Sequence, residues 1–362
     1  VKAPKDAVRV DATGKFLMPG LAEMHGHLPA PPPPPAVIEN ILYLFASNGG
    51  TTVRGMLGHP SHLELRARIA RGDLLGPALY VAGPALGGNN ATSPEIARQM
   101  VRDQKTAGYD HLKVQEGLRR DVYDAIVEEA RAQKMTFGGH VSQDVGVQRA
   151  IEARQTSIDH LDNYIDALDA GDTVAALAKS TREAGVWMVP TMALWEVFFG
   201  EQTTDSLRQR PEVKYMPRSM VDAWAKNRDG RPKNPAAARI LETRKKLLKA
   251  MQDAGVKIAL GTDAPQIFSV PGFSIHREME LMVSSGLTPY QVLESGTRRI
   301  GEYFGTRTGM VAAGYAADLI LLDANPVENV AHVARRAGVM VRGRWMPESE
   351  IQARLASIAA SN

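Results

Sequence analysis

Short apolar runs alternate with amphipathic stretches along most of the chain. The apolar runs fall at 16–27, 51–56, 78–83, 111–115, 136–141, 157–161, 186–192 and 257–263. Between most of them apolar positions recur at helical spacing, as in 61–71, 93–107, 120–133 and 173–184. Such strand–helix alternation predicts a parallel sheet. Eight repeats in roughly 250 residues predict an α/β protein built on a (β/α)8 TIM barrel. The competing architecture, an open doubly wound sheet, often announces itself by a Gly-rich phosphate turn after the first strand. Here that position holds HGH followed by prolines.

Three segments break the repeat. Residues 29–35 read PAPPPPP, which predicts a stiff polyproline II segment at the rim of the barrel. The stretch 194–237 is long and reads as irregular, yet it carries Trp195, Phe198, Phe199, Tyr215 and Trp224, which predict an ordered lid. After Gly309 the pattern turns to short strands, at 318–322 and 338–341, followed by an Arg342-Gly343-Arg344-Trp345 turn. These are too few to fold alone and are expected to pair with an opening strand at 8–11. The expected partition is therefore 1–15 as the remnant of a small accessory β-subdomain, 16–308 as the barrel, 309–346 as the C-terminal part of the subdomain, and 347–362 as a tail.

Composition narrows the chemistry. The 362 residues are 44% hydrophobic and 23% charged, as in a globular protein and not a disordered or fibrous one. A net charge of +3 with no long basic run makes no case for nucleic acid. There is no cysteine, so disulfides, thiolate metal ligands and thiol nucleophiles are excluded together. No apolar run approaches the ~20 residues of a membrane span. The expected partner is a small-molecule substrate, and a homo-oligomer is compatible with a barrel of this size. No signal-like segment opens the chain at Val1. A periplasmic or otherwise exported protein is expected only if such a segment precedes Val1, and a cytoplasmic one otherwise.

Polar residues at the ends of the apolar runs carry the candidate chemistry. His25 and His27 stand two apart in EMHGHL and so face the same side of a strand. His140 ends the fifth run, His160 the sixth and Asp263 the eighth. In a barrel all of these reach the C-terminal mouth. Imidazole nitrogen and carboxylate oxygen are what Zn²⁺ accepts when thiolate is absent. Lys113, in DHLKVQ, shares an inward face with His111, which is expected to point in beneath the site. A buried lysine loses its proton readily and can then add CO₂ to form a carbamate. Pairing with an acid such as Glu23 or Glu116 is the other reading of Lys113. Further candidates for substrate binding are Tyr164 after HLDN, His276 in SIHREMEL, and Arg119 with Arg120, which could fork onto a carboxylate. His59, His62 and His332 have no partner at ligand spacing.

The order HGH, Lys, His, His, Asp over strands one, four, five, six and eight resembles the amidohydrolase superfamily. Phrases such as FLMPGLAEMHGH, GGTTVRGM, GPALYVAGP, GTDAP, GLTPYQVLESGT and GMVAAGYAADLILLDANPVENV are similar to its imidazolonepropionase-like and prolidase-like branch. The resemblance spans about residues 10–346. It implies two divalent metal ions, expected to be Zn²⁺. His25, His27 and Asp263 would hold one and His140 and His160 the other, with carboxylated Lys113 and a hydroxide bridging them. It further implies hydrolysis of an amide or peptide bond in a dipeptide or an N-acyl or aromatic amide. Asp263 would take the proton of the nucleophile and return it to the leaving amine. Alternatives are a mononuclear cyclic-amide hydrolase or deaminase, a lactonase or esterase on the same site, and a scaffold that has lost the chemistry. The family's N-terminal subdomain strands look missing or shortened here.

Overall fold

The computed structural model describes residues 5, 7–30 and 33–362. Among the described residues, twelve strands make three sheets. Eight of them are the short runs read from the sequence. β1 (Phe16–Pro19) precedes them, followed by β2 (Leu21–Gly26), β3 (Gly50–Gly55) and β4 (Ala78–Val81). Then come β5 (His111–Val114), β6 (Thr136–Gly139), β7 (Ser157–Asp159), β8 (Trp187–Val189) and β9 (Lys257–Ile258). β2-β3-β4 form one parallel sheet and β5 through β9 another. Isolated parallel bridges pair Ala82 with His111 and Leu86 with Val114, between β4 and β5. At the other end, Met24 N donates to Leu260 O at 2.9 Å and Asp263 N to His25 O at 2.8 Å. Helices follow nearly every strand, as an α/β order requires.

Helix boundaries follow local chemistry. Ser93 accepts from Ile96 N and Thr173 from Ala176 N, so each stands just outside its helix as the N-cap. This accounts for helices over Pro94–Ala107 and Val174–Ala184, one residue inside the expected starts. Pro289 follows Thr288, whose side chain and Gln291 form a reciprocal capping box.

Three expectations change. The opening apolar run is two strands, because the chain turns at Pro19-Gly20. Gly20 is packed so tightly that a Cβ would fall 2.2 Å from Thr51 Oγ1. β1 leaves the parallel sheet and pairs antiparallel with β10 (Leu319–Leu322), followed by β11 (Arg336–Val341) and β12 (Arg344–Pro347). Residues 8–11 form no strand and are exposed. Second, the 194–237 stretch is mostly helical. Met192–Phe199, Thr204–Arg208 and Arg218–Asp229 are α-helices and Pro211–Tyr215 is a 3₁₀ turn. Two of its prolines mark helix starts: Pro211 opens the 3₁₀ turn and Pro217 is an N-cap. Tyr215 and Trp224 leave the cleft: Tyr215 stacks on Phe273, and Trp224 meets Phe268 edge to face. Third, the proline run meets the described residues only in part. Prolines 31 and 32 lie outside them, and Pro35 begins the helix Pro35–Ser47.

The last residues are a helix, Glu348–Ser361, rather than a loose tail. Ile351, Leu355 and Ile358 recur at helical spacing and are buried. No helix among the described residues is long and apolar enough to cross a membrane. Leu355→Ala should destabilise the protein by about 2–5 kcal/mol. Urea denaturation measures it, and an unchanged midpoint would mean that the helix does not contribute to the core.

Candidate metal centre

The six predicted ligand side chains meet at one end of the parallel strands. His25 and His27 come from β2 and the residue after it, and their rings lie 5.6 Å apart. Asp263 reaches them from beyond β9: its Oδ1 is 2.9 Å from His27 Nε2 and 3.6 Å from His25 Nε2. The His25 ring is 4.4 Å from that of His160, which is 4.6 Å from that of His140. Lys113 projects from β5 to place Nζ 3.3 Å from His25 Nε2. A Cβ on Gly139 would lie 2.7 Å from Lys113 Cδ, so the glycine of GGH is what admits the lysine.

Holding these groups has a conformational cost. His160, Thr191 and Asp263 all sit at positive φ, at 65°, 48° and 67°. Left-handed backbone costs a non-glycine residue about 1–3 kcal/mol and persists where surrounding contacts over-determine it. Those contacts are visible. Thr191 Oγ1 is 2.8 Å from His160 Nδ1, and Arg244 donates to the His160 carbonyl. Buried Glu278 accepts from the N–H groups of Met192 and Ala193, pinning the turn that carries Thr191. Buried Glu23 accepts from the N–H groups of His25 and Thr262 and from the Thr262 hydroxyl, binding the two ligand segments together.

Electrostatics at the site follow burial. Desolvation, then the Lys113 charge, holds His25 well below the ordinary histidine range. Desolvation also holds His160 well below that range, with help from His25. Burial lowers Lys113. Both imidazoles are therefore neutral at pH 7, the form that ligates metal. His160 Nε2 is buried with no hydrogen-bond partner among the described residues, and buried Asp263 Oδ1 faces the His27 and His25 ring nitrogens without an aligned hydrogen bond. His25, His27 and Asp263 offer ligand atoms within 4.8 Å of one another, as do Glu116, His140 and Asp162. Nitrogen and oxygen donors, unsatisfied and desolvated, fit a divalent cation.

The partners of the ligands were not among the sequence candidates. Asp162 Oδ2 lies 2.6 Å from His140 Nδ1, and Asp159 Oδ2 lies 2.7 Å from His25 Nδ1. Both acids stand in the SIDHLD phrase beside His160, and their clustering was the one available signal. Glu116 is exposed and near His140, and Glu23 is spent on Thr262, so neither pairs with Lys113.

The substrate candidates fare differently from the ligands. Tyr164 is wholly buried with its hydroxyl 2.8 Å from Thr181 Oγ1, because the turn at His160–Asn163 sends it into the core. Arg119 and Arg120 are exposed and bind Asp121 and Asp124 of the adjoining helix's first turns. His276 lies against Asn48 and the Arg336 charge, away from the cleft. The cleft itself, about 1460 Å³, reaches Lys113, His140, His160 and Asp263 at its floor and Trp195, Phe198 and Phe199 at its side. A side cavity of about 480 Å³ shares Glu116, Asp162 and Trp195 with it and is bordered by Arg244, whose guanidinium stacks 3.6 Å over the Trp195 ring.

A model of the amidohydrolase family matches residues 16–346. Ochratoxinase from Aspergillus niger is 25% identical over 335 residues, covering 78% of this chain. The chain spans 62% of the length of that relative. Among solved structures, bottromycin amidohydrolase superposes with a TM-score of 0.78 at 24% identity, over 96% of this chain and 80% of that one. A Xaa-Pro dipeptidase with methionine in its active site gives 0.71 at 20% identity, over 96% and 90%. These likenesses agree with a TIM-barrel-like α/β fold.

Glu278 supplies a test of the clamp. Burial raises its pKa to about 8, against its two backbone hydrogen bonds. The folded state then holds a proton that the unfolded state has lost above the ordinary glutamate pKa, so its contribution to stability falls as pH rises toward 8. Glu278→Gln should flatten that fall. Urea denaturation of both proteins between pH 5 and 8 measures it; parallel profiles would contradict it.

Proposed function

The chain belongs to the amidohydrolase family, and from that premise we propose that it is a metal-dependent hydrolase of amide or peptide bonds. The observation that carries the proposal is the meeting of His25, His27, Lys113, His140, His160 and Asp263, all of which except the buried His25 line one cleft. We also infer that the two parallel sheets are arcs of one closed eight-stranded barrel, which the bridges at Ala82 and Leu86 and the Met24–Leu260 hydrogen bond support.

In this reading His25, His27 and Asp263 would hold one cation, and His140 and His160 the other. Lys113 would serve both as a carbamate, which its burial favours by disfavouring the charged amine. A pair of divalent cations, Zn²⁺ by its taste for imidazole and carboxylate, supplies the Lewis acidity that makes a water nucleophilic near neutral pH and polarises the scissile carbonyl.

Asp263 does the proton work. Its Oδ1 is turned to His25 and His27, leaving Oδ2 to accept a proton from the attacking water. Oδ2 then delivers that proton to the leaving nitrogen, which an amide needs more than an ester does because an amide anion is a poor leaving group. Trp195, Phe198 and Phe199 line the approach and fit an apolar or aromatic acyl group or a dipeptide. The names of the relatives, an ochratoxinase, an amidohydrolase and a dipeptidase, agree with such small substrates.

A screen of N-acyl amino acids, dipeptides, lactones and aryl esters with the metal-loaded enzyme tests the reading. Amides or peptides should be cleaved, and chelation should abolish the activity. Asp263→Asn should lower kcat/KM on the best amide by roughly 10²–10⁴-fold, with a smaller loss on an aryl ester. Turnover of the amide at the wild-type rate by a folded Asp263→Asn protein would end the proposed mechanism.

A further inference from the structure

Arg54 lies in the GGTTVRGM phrase and is fully buried on β3, an expensive place for a charge. Four hydrogen bonds hold its guanidinium. Nε donates to Met24 O at 2.6 Å. Nη1 donates to Ser157 Oγ at 2.8 Å and to Tyr303 OH at 2.7 Å. Nη2 donates to Asp159 Oδ2 at 2.8 Å. That same oxygen is 2.7 Å from His25 Nδ1. One guanidinium thus grips the strand carrying His25 twice: at the carbonyl of the preceding residue, and through Asp159 at the ring.

We propose that Arg54 is a positioning residue of the metal site: through Asp159 it fixes His25 as the Nδ1–H tautomer, leaving the Nε2 lone pair free. The inference rests on the reading of His25 as a metal ligand.

The chemistry is directional. A carboxylate only accepts, so an ionised Asp159 obliges the nitrogen facing it to carry the proton. His25 Nε2 is then the bare donor, and it faces Asp263 and Lys113. Without the guanidinium, Asp159 loses the planar donor that fixes its Oδ2 against His25 Nδ1, and the His25 ring is no longer held with Nε2 toward Asp263 and Lys113. Lysine cannot substitute, since an ammonium lacks the planar fork that reaches four acceptors on three elements. Partners behind metal-binding histidines commonly act in this manner. Here the partner carboxylate is itself held by a second buried charge.

Asp159 Oδ1 has no hydrogen-bond partner among the described residues. Asp159→Asn can therefore keep an acceptor at the Oδ2 position and turn its amide to the Oδ1 side. The experiment compares wild type with Arg54→Lys, Asp159→Asn and Asp159→Leu. It reads Zn²⁺ affinity by chelator competition, thermal stability of the metal-free chain, and the His25 tautomer by ¹⁵N NMR on ring-labelled protein. Asp159→Leu and Arg54→Lys should lose roughly 10–100-fold in Zn²⁺ affinity, and Asp159→Asn only a few-fold. Metal-free wild type should show His25 protonated on Nδ1. Variants that melt earlier but bind Zn²⁺ as wild type does would make Arg54 a purely structural tie and overturn the inference, as would an Nε2–H His25. If a variant fails to fold, the wild-type tautomer still decides the matter. Failure of the wild type to bind Zn²⁺ at all would instead sink the metal reading, with the tautomer measured separately.

Discussion

The interior of this protein is organised around the cost of bringing ionisable groups together where water is excluded. His25, Lys113, Asp159, His160, Asp263 and Arg54 are all buried within one end of the parallel sheets. No apolar packing around them could offset so many desolvated groups if they were left unsatisfied. Most are matched: a carboxylate to a guanidinium, an imidazole to an acid or a hydroxyl, a strand carbonyl to an arginine. Among the buried atoms left without a hydrogen bond are His160 Nε2, Asp263 Oδ1 and Asp159 Oδ1, and the first two belong to the proposed cation ligands.

This demand explains features that look like separate oddities. Left-handed backbone at His160, Thr191 and Asp263 turns side chains into the cleft immediately after their strands end. Glu23 and Glu278 are buried acids whose acceptors go to backbone N–H groups beside those same turns. Both are raised to a pKa of about 8, chiefly by desolvation. Backbone strain and acid burial thus serve one purpose, which is to hold the ligand-bearing segments rigid. The helix that carries Trp195 to the side of the cleft starts from the segment held by Glu278, and Arg244 stacks on the Trp195 ring.

The side chains that meet at the candidate site were legible because strand parity and strand ends are local properties of a sequence. HGH on one strand, and His or Asp at the close of others, needs no knowledge of distant partners. Asp159 and Arg54 were not legible for the opposite reason. They meet across 105 positions, and a lone arginine among threonines reads as a solvated strand face. Tyr164 and Arg119 were misplaced by local geometry: the left-handed turn at His160–Asn163 buries the tyrosine, and the acid-rich start of the helix Arg120–Ala132 occupies the arginine. The opening run was read as one strand because apolar pattern does not register that Pro19-Gly20 moves the chain between sheets. The helices between 192 and 229 were hidden by their prolines, which look like breakers but stand at starts.

Anomalous diffraction from crystals grown with Zn²⁺ tests the central claim most directly. Two peaks per chain are expected. One is bounded by His25, His27 and Asp263, the other by His140 and His160, and continuous density from Lys113 Nζ carries a carboxylate between them. A single peak with a bare lysine, or zinc bound elsewhere on the protein, would contradict it.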